Sequence, residues 1–278
     1  MSPAGATDLR HRIDRLGELP TLPHVVQKLA STIGRQNVSA AEIGTLIERD
    51  QVLSAKVLRL ANSPFYGFPA RIASVSHAVV LLGLNVVKGL TLCATAFDIM
   101  KDAGMEQLWR HSLGVAITAQ ILGVRVSIKN PEEVFVAGLL HDIGKVALYV
   151  KWPDIGERIQ TVQKTGDRAF MDVEHDLFEL THADVGGWLA DAWHLPITLR
   201  EPIQYHHKPA AAQEAMLQTA IVHVADILVK GLACGNPGDN LVPPLSRQAW
   251  DLVGLDEAAL AACIAKASDE FATIDHYL

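Results

Sequence analysis

Along most of the chain apolar residues recur at three- and four-residue intervals, the period of a helix with one buried face. No stretch shows the two-residue alternation of a half-buried strand. Residues 8–16 read as a first helix closed by Gly17, and Pro20 and Pro23 punctuate the chain before a second with Val25, Leu29 and Ile33 on one face. Ser39 with Glu42 three positions later is a capping-box pattern, and Ile43, Leu46 and Ile47 form the stripe behind it. Asp50 is placed to cap the next segment, whose Leu53, Val57 and Leu60 share a face until Pro64, Gly67 and Pro69 break it. A short helix is expected from Ser76 to Gly83, then a longer one over residues 84–100.

Gly104 is the best boundary, because a new amphipathic helix over residues 106–124 follows it with Leu108, His111, Val115, Ala119 and Leu122 on one face. Asn130, Pro131, Glu132 and Glu133 form a helix start, with Asn as cap, Pro at the first position and acids in the first turn. This launches residues 134–150, read as a continuation of the same helix and apolar except at His141-Asp142, Gly144 and Lys145. Further helices are expected over residues 154–164 and 169–178, and from Thr181, capped with Asp184, to Pro196. A segment kinked or started at Pro202 follows, then a helix over residues 214–229 with Leu217, Ile221, Val224 and Leu228 inward. A Gly- and Pro-rich loop over residues 231–244 precedes two last helices, over residues 246–253 and 257–277. The pattern predicts an all-α fold in two parts: an N-terminal helical bundle, residues 1–104, packed on a C-terminal helical domain, residues 105–278.

The segment around His141-Asp142 raises a chemical question, because an imidazole and a carboxylate buried together are costly unless hydrogen-bonded, ion-paired or metal-bound. Eight of the 12 histidines fall between residues 111 and 223, which turns attention to ligands on separate helices. The candidates are His111, His141, Asp142, His182, His206, His207 and Asp226, and imidazole with carboxylate suits a divalent transition metal such as Mn, Fe, Co, Ni or Zn. On one straight helix His141 and Asp142 project about 100° apart, so they would flank a metal, with Asp142 able to bridge to a second ion. Two ions about 3.5–4 Å apart are the geometry that activates water and clamps a phosphoryl group in many phosphatases.

Each candidate also has a plainer reading. His111 fits a satisfied core position, the His206-His207 tandem fits a polar helix end, and His223 and Asp226, three apart, could pair with each other. Lys145, four residues after His141, is either an anion-binding cation or a partner for a carboxylate. His24, His77, His175 and His194 have no pattern around them.

Composition narrows the function classes. A net charge of −7 disfavours a nucleic-acid partner held by phosphate contacts. The charge is uneven: residues 1–104 carry 11 Lys+Arg against 8 Asp+Glu, and residues 105–278 carry 13 against 23. The acidic second part suits a cation site, although solvated carboxylates explain most of it equally well. Cys93, Cys234 and Cys263 are widely spaced and lack a CxxC pair, so neither a disulfide framework nor a Cys-zinc site is expected and a reducing compartment is. The N-terminal DLRHRIDRL has no apolar h-region and no apolar run approaches the roughly 18 residues of a span, so a soluble, cytoplasmic protein with no membrane partner is expected.

Taken together, the order His, His-Asp, His, His-His, Asp resembles the HD superfamily of metal-dependent phosphohydrolases. The contexts that carry the resemblance are WRHSLGVAITAQILG, AGLLHDIGKVAL, THADVGGWLADAWHLP, IQYHHKP and VHVADIL. The first part sharpens it: LPTLPHVVQKLASTI, IERDQVLSAKVLRLANSPFYG and SVSHAVVLLGLNVVKGLTL resemble the N-terminal region of HDOD proteins, the HD-related output domains of bacterial signalling. The resemblance covers about residues 16–230.

That resemblance implies a C-terminal domain of HD type holding one or two metal ions, with no organic cofactor. His111, His141, Asp142 and Asp226 would hold one ion, and His182, His206 and His207 a second, with Asp142 bridging and Lys145 facing a phosphate. It implies an output or protein-interaction module with a signalling protein partner; the alternative is a metal-dependent phosphohydrolase acting on a nucleotide or other phosphoester, with Lys145 and Asp142 catalytic. Two departures count against cyclic-di-GMP hydrolysis. Position 107 is Gln where HD-GYP relatives carry a ligand Glu, and KPAAAQEAM follows His206-His207 without a Gly-Tyr-Pro signature. Phe65, Tyr66 and Phe68 form a loop that would either contact a partner or plug the two parts together.

Overall fold

Several helix starts are set by short polar side chains. In the computed structural model, which describes residues 39–63, 66, 68, 70–163, 168–239 and 241–272, Ser39 opens α1 (Ala40–Glu48) with the expected capping box. Its hydroxyl accepts from Glu42 N–H at 3.2 Å while Glu42 Oε2 accepts from Ser39 N–H at 3.1 Å. Asp50 caps α2 (Gln51–Ala61), accepting from the amides of Val52 and Leu53 at 3.1 and 3.0 Å. α3 (Val75–Leu82) starts earlier than expected, because the capping hydroxyl belongs to Ser74, which accepts from His77 N–H. α4 (Leu84–Asp102) completes this part. The helices expected over residues 8–16 and 25–33 lie outside the described residues, as does Phe65.

The second part comprises α5 (Glu106–Arg125), α6 (Pro131–Leu140), α7 (Ile143–Lys151), α8 (Pro153–Gln163), α9 (Phe170–Phe178), α10 (His182–Ala192), α11 (Ile197–Tyr205), α12 (Met216–Gly231), α13 (Arg247–Val253) and α14 (Glu257–Phe271). Among the described residues there is no strand, so the all-α reading holds. Thr181 and Asp184 form the expected capping box of α10. Asn130 stands at the cap of α6 without a side-chain hydrogen bond, and Pro202 lies inside α11 rather than starting it.

One departure matters for the chemistry. The expected single helix over residues 134–150 is broken at His141-Asp142, where Asp142 adopts φ −97° and ψ 13° between α6 and α7. A continuous helix would send the two side chains about 100° apart; the break lets them converge. Two glycines allow the packing around it. A Cβ on Gly138 would come within 2.7 Å of Ala116 Cα on α5, and one on Gly144 would overlap the His182 carbonyl on α10.

α5 packs against α6, α12 and α14, and α10 packs against α7 and α11, so the cluster-bearing helices enclose one another. α4 joins the two parts by packing on α2 and α3 as well as on α5, α6 and α7. The apolar core is continuous from Ile43 to Cys263, with Trp109, Phe135 and Phe170 among its largest fully buried members. Burial of each such side chain is worth roughly 1.5–3 kcal/mol. Tyr66 is buried, its ring 5.3 Å from Phe135 on α6 and 6.4 Å from Phe68, so it packs the loop after α2 against α6. No helix among the described residues is long and apolar enough to cross a membrane.

Candidate metal centre

All seven sequence-predicted ligands come together, and six are essentially inaccessible: His111 and His206 are 0% exposed, His141, Asp142 and His182 1%, and Asp226 2%. His207 is the one with partial exposure. Three overlapping groups place their ligand atoms within 4.8 Å of one another: His111, His141 and Asp226; His141, Asp142 and His206; and His182, His206 and His207.

The same local device aims two of the imidazoles. His141 ends α6 and its Nδ1–H donates to Gly138 O at 2.7 Å, taking a carbonyl that a helix end leaves without an intrahelical partner. His206 ends α11 and does the same to Ile203 O at 2.9 Å. In both, Nε2 is left with its lone pair directed into the cluster, the tautomer that a metal ligand needs. His182 opens α10, and its Nδ1–H donates to Glu174 Oε2 at 2.6 Å. His182 Nε2 then lies 3.0 Å from His207 Nε2 and 3.1 Å from Asp142 Oδ1.

Several of these atoms have no hydrogen-bond partner among the described residues: both ring nitrogens of His111, Nε2 of His141 and of His206, Oδ1 of Asp142 and Oδ1 of Asp226. His111 Nε2 is 3.0 Å from Asp226 Oδ1, and His141 Nε2 is 3.3 Å from Asp142 Oδ2. Buried polar atoms are almost always satisfied, so unpartnered nitrogens and oxygens aimed at a common volume form a cluster that could hold a cation. The donor set fits a divalent transition ion: imidazole nitrogens, two carboxylates and no thiolate.

Electrostatics prepare the same state. Burial drives Asp142 and Asp226 upward, but the groups around them, His141 and Lys145 at the first and Lys230 and His111 at the second, hold both well below the usual carboxylate range. Burial pushes His206 and His207 well below the ordinary imidazole value, neighbouring imidazoles adding to it, and lowers His111 despite Asp226. His182 moves the other way: burial lowers it, but the charge of Glu174 and the hydrogen bonds to Asp142 and Glu174 together raise it. Ionised carboxylates and neutral imidazoles are the forms that bind a metal.

Lys145 does not face an open anion site. Its ammonium donates to Asp142 Oδ2 and to Pro237 O, both at 2.9 Å, and lies 5.0 Å from the Phe170 ring centre. Pro237 belongs to a strap, residues 235–239, stitched over the cluster. Asn236 N–H donates to Gln107 O at 3.0 Å, Phe170 N–H donates to Asp239 Oδ2 at 2.7 Å, and Gly235 sits against the backbone of His111 where no Cβ fits. Gln107 itself is exposed and contributes no side chain to the cluster.

His223 and Asp226 do not pair. His223 Nδ1–H donates to His206 O at 2.6 Å, and its Nε2 accepts from Ser246 N–H at 3.0 Å, so His223 fixes the backbone of the His206-His207 turn. Glu174, 1% exposed, is absent from the sequence-predicted set. Its signal was there: Phe170, Val173, Glu174 and Leu177 share one helical face, which places an acid on an apolar stripe. His77, His175 and His194 are exposed and lie outside the cluster.

The comparisons with known proteins agree with this architecture. A structure from Geobacter sulfurreducens, described as an HDOD domain protein of unknown function, is 29% identical, with 99% of this chain and 98% of that one covered at a TM-score of 0.75. A Shewanella amazonensis structure, provisionally described as a phosphohydrolase, is 26% identical over 94% of each chain with a TM-score of 0.66. An uncharacterised Treponema pallidum protein is 25% identical over 234 residues, and the match spans 82% of this chain but only 45% of that relative. The HDOD domain model matches residues 19–209, and the chain belongs to the HDOD family.

Proposed function

We propose that this chain is an output module of bacterial signal transduction that retains an HD-type divalent metal site and acts through a signalling protein partner. In this reading residues 1–104 and 105–278 work as two subdomains, and His111, His141, Asp142, His182, His206, His207 and Asp226 are the ligands. The observation that carries it is the enclosure of the cluster: six ligands are at most 2% exposed, and the one lysine beside Asp142 is engaged with that carboxylate and with the Pro237 carbonyl. A buried, fully furnished metal cluster under a backbone strap suits a structural or sensing ion better than rapid turnover.

The completeness of the ligand set and the partly exposed edge at His207 favour a second reading, a metal-dependent phosphohydrolase acting on a nucleotide or other phosphoester. The provisional description of the Shewanella amazonensis relative points the same way. A divalent ion there supplies Lewis-acid charge to a phosphoryl oxygen. Lys145 would orient that group only after releasing Pro237 O. The exposed Gln107 counts against hydrolysis of cyclic-di-GMP.

The test is elemental analysis of protein purified without chelator, beside a His141→Ala, Asp142→Ala variant, with phosphoester turnover measured on the same samples. About one or two transition ions per chain, lost in the variant, with no turnover, is the expected result. Fewer than about 0.1 ions per chain, unchanged by the substitutions, overturns both readings. Stoichiometric metal with turnover moves the assignment to the hydrolase.

A further inference from the structure

Glu174 is the one acid among the described residues that touches an imidazole of the cluster from outside the predicted ligand set. Its Oε2 accepts two hydrogen bonds from the same residue, His182: the backbone N–H at 3.0 Å and the ring Nδ1–H at 2.6 Å. Its Oε1 has no partner among the described residues, and the side chain is 1% exposed. A carboxyl group buried this way is costly unless hydrogen-bonded, and both of its hydrogen bonds go to His182.

A capping role is the plainer explanation, since His182 is the first residue of α10 and its N–H lacks an intrahelical partner. The capping box of α10 serves the amides of Asp184 and Thr181 and leaves the His182 N–H to Glu174, so Glu174 does cap the helix as well. Thr181 accepts from Asp184 N–H, and Asp184 Oδ2 accepts from both the amide and the hydroxyl of Thr181 at 2.8 Å. The shorter of the two Glu174 bonds goes to the ring, not to the backbone.

The other imidazoles provide the contrast. His141 and His206 donate their Nδ1–H to neutral backbone carbonyls, and His111 Nδ1 has no partner among the described residues. Among the described residues, only His182 has a carboxylate on its Nδ1 side. A carboxylate behind a ligating imidazole fixes the Nδ1–H tautomer, holds the ring plane and raises the basicity of Nε2. Here Nε2 is the atom that faces His207 Nε2 and Asp142 Oδ1.

We propose that Glu174 is the positioning residue of the His182, His206 and His207 side of the cluster, making His182 its strongest donor and giving the two sides unequal affinity for metal. This rests on the metal-site reading above. The experiment titrates metal-free protein with Co(II), following visible absorption and calorimetry, for the wild type, Glu174→Gln and Glu174→Ala. Long-range 15N correlation spectra of the metal-free proteins report the His182 tautomer.

Glu174→Gln keeps the shape and an acceptor oxygen but removes the charge, whereas Glu174→Ala removes both. The expected result is that one of two Co(II) equivalents weakens by about 10–100-fold in Glu174→Gln and at least as much in Glu174→Ala, while the other is unchanged. His182 should hold its proton on Nδ1 in the wild type and lose that preference in Glu174→Ala. Wild-type affinity for both equivalents in both variants overturns the proposal, as does a wild-type His182 protonated on Nε2. If the wild type binds no Co(II), the metal reading fails and this proposal falls with it. The tautomer spectrum then still shows whether Glu174 sets the ring.

Discussion

Helices α1–α4 and helices α5–α12 use polar groups in opposite ways. In the first set, Asn62 at the end of α2 uses both ends of its amide: Nδ2 donates to Leu58 O and Ile72 O at 2.8 Å, and Oδ1 accepts from Ile72 N–H at 2.7 Å. Glu48 accepts from the first amides of α3, and Asp50 caps α2. These groups complete the backbone and point at nothing else. In the second set, ring nitrogens and carboxylate oxygens of His111, His141, Asp142, His206 and Asp226 converge with no hydrogen-bond partner among the described residues. The first groups are exposed or half-buried and the second are at most 2% exposed, so the two sets differ in burial as well as in partners. The contrast separates polar groups that complete the backbone from buried polar groups that could hold a metal.

The sharpest way to break that contrast is to remove one member from each set. His141→Ala should lower metal affinity by at least tenfold, about the lower bound for disturbing even an outer partner of a ligand. Its metal-free form should melt close to the wild type. Asn62→Ala should leave metal binding unchanged and cost about 1–3 kcal/mol of stability, because it strands buried backbone groups. Metal titration and urea unfolding read the two quantities. Equal metal affinity in both variants would erase the distinction.

The join between the sets comes next in size. Tyr66→Ala should cost about 3 kcal/mol, the scale for emptying an aromatic site. Tyr66→Phe should cost less than about 0.5 kcal/mol, since the buried hydroxyl has no hydrogen-bond partner among the described residues. A Tyr66→Ala variant of unchanged stability that fails to bind its signalling partner would instead make the loop a contact patch. Gly144→Ala should destabilise by about 1–3 kcal/mol, because its methyl group meets the His182 carbonyl and forces α7 from α10. Differential scanning calorimetry with and without metal would separate the packing loss from any loss of ligand geometry.

A separate effect is a pH dependence carried by a lysine that bridges the two sets. Lys88 on α4 is 3% exposed and donates to His194 O at 2.7 Å, beyond the end of α10. Burial lowers its pKa from 10.5 to about 8. The unfolded chain therefore holds more protons than the folded one between those values, and stability should rise with pH across that window. Lys88→Met should lack this rise, and denaturant melts at pH 7.5, 9 and 10.5 would show it as a flatter profile.

Much of this molecule was readable before the coordinates. Ser39 with Glu42, Asp50 and Thr181 with Asp184 announce helix starts through local hydrogen bonds, which depend only on neighbours in sequence. The order of histidines and aspartates on apolar faces located the cluster, because a buried imidazole needs a reason. The break at His141-Asp142 was not readable, since the residues on either side are apolar and favour a continuous helix; tertiary contact through Gly138 and Gly144 decides it. Nor was the strap legible, because Lys145 is held by a backbone carbonyl of Pro237, and any residue type supplies that group. His223 looked like a partner for Asp226 by spacing, whereas a carbonyl from another helix end competes for its ring.

The central claim is that these converging orphaned atoms bind a divalent transition metal. X-ray absorption at the metal edge of the loaded protein tests it most directly. The account predicts a nitrogen and oxygen coordination shell without sulfur and with the outer-shell scattering of several imidazoles, reduced in His141→Ala. A shell of water oxygens alone, with no imidazole scattering, would contradict it.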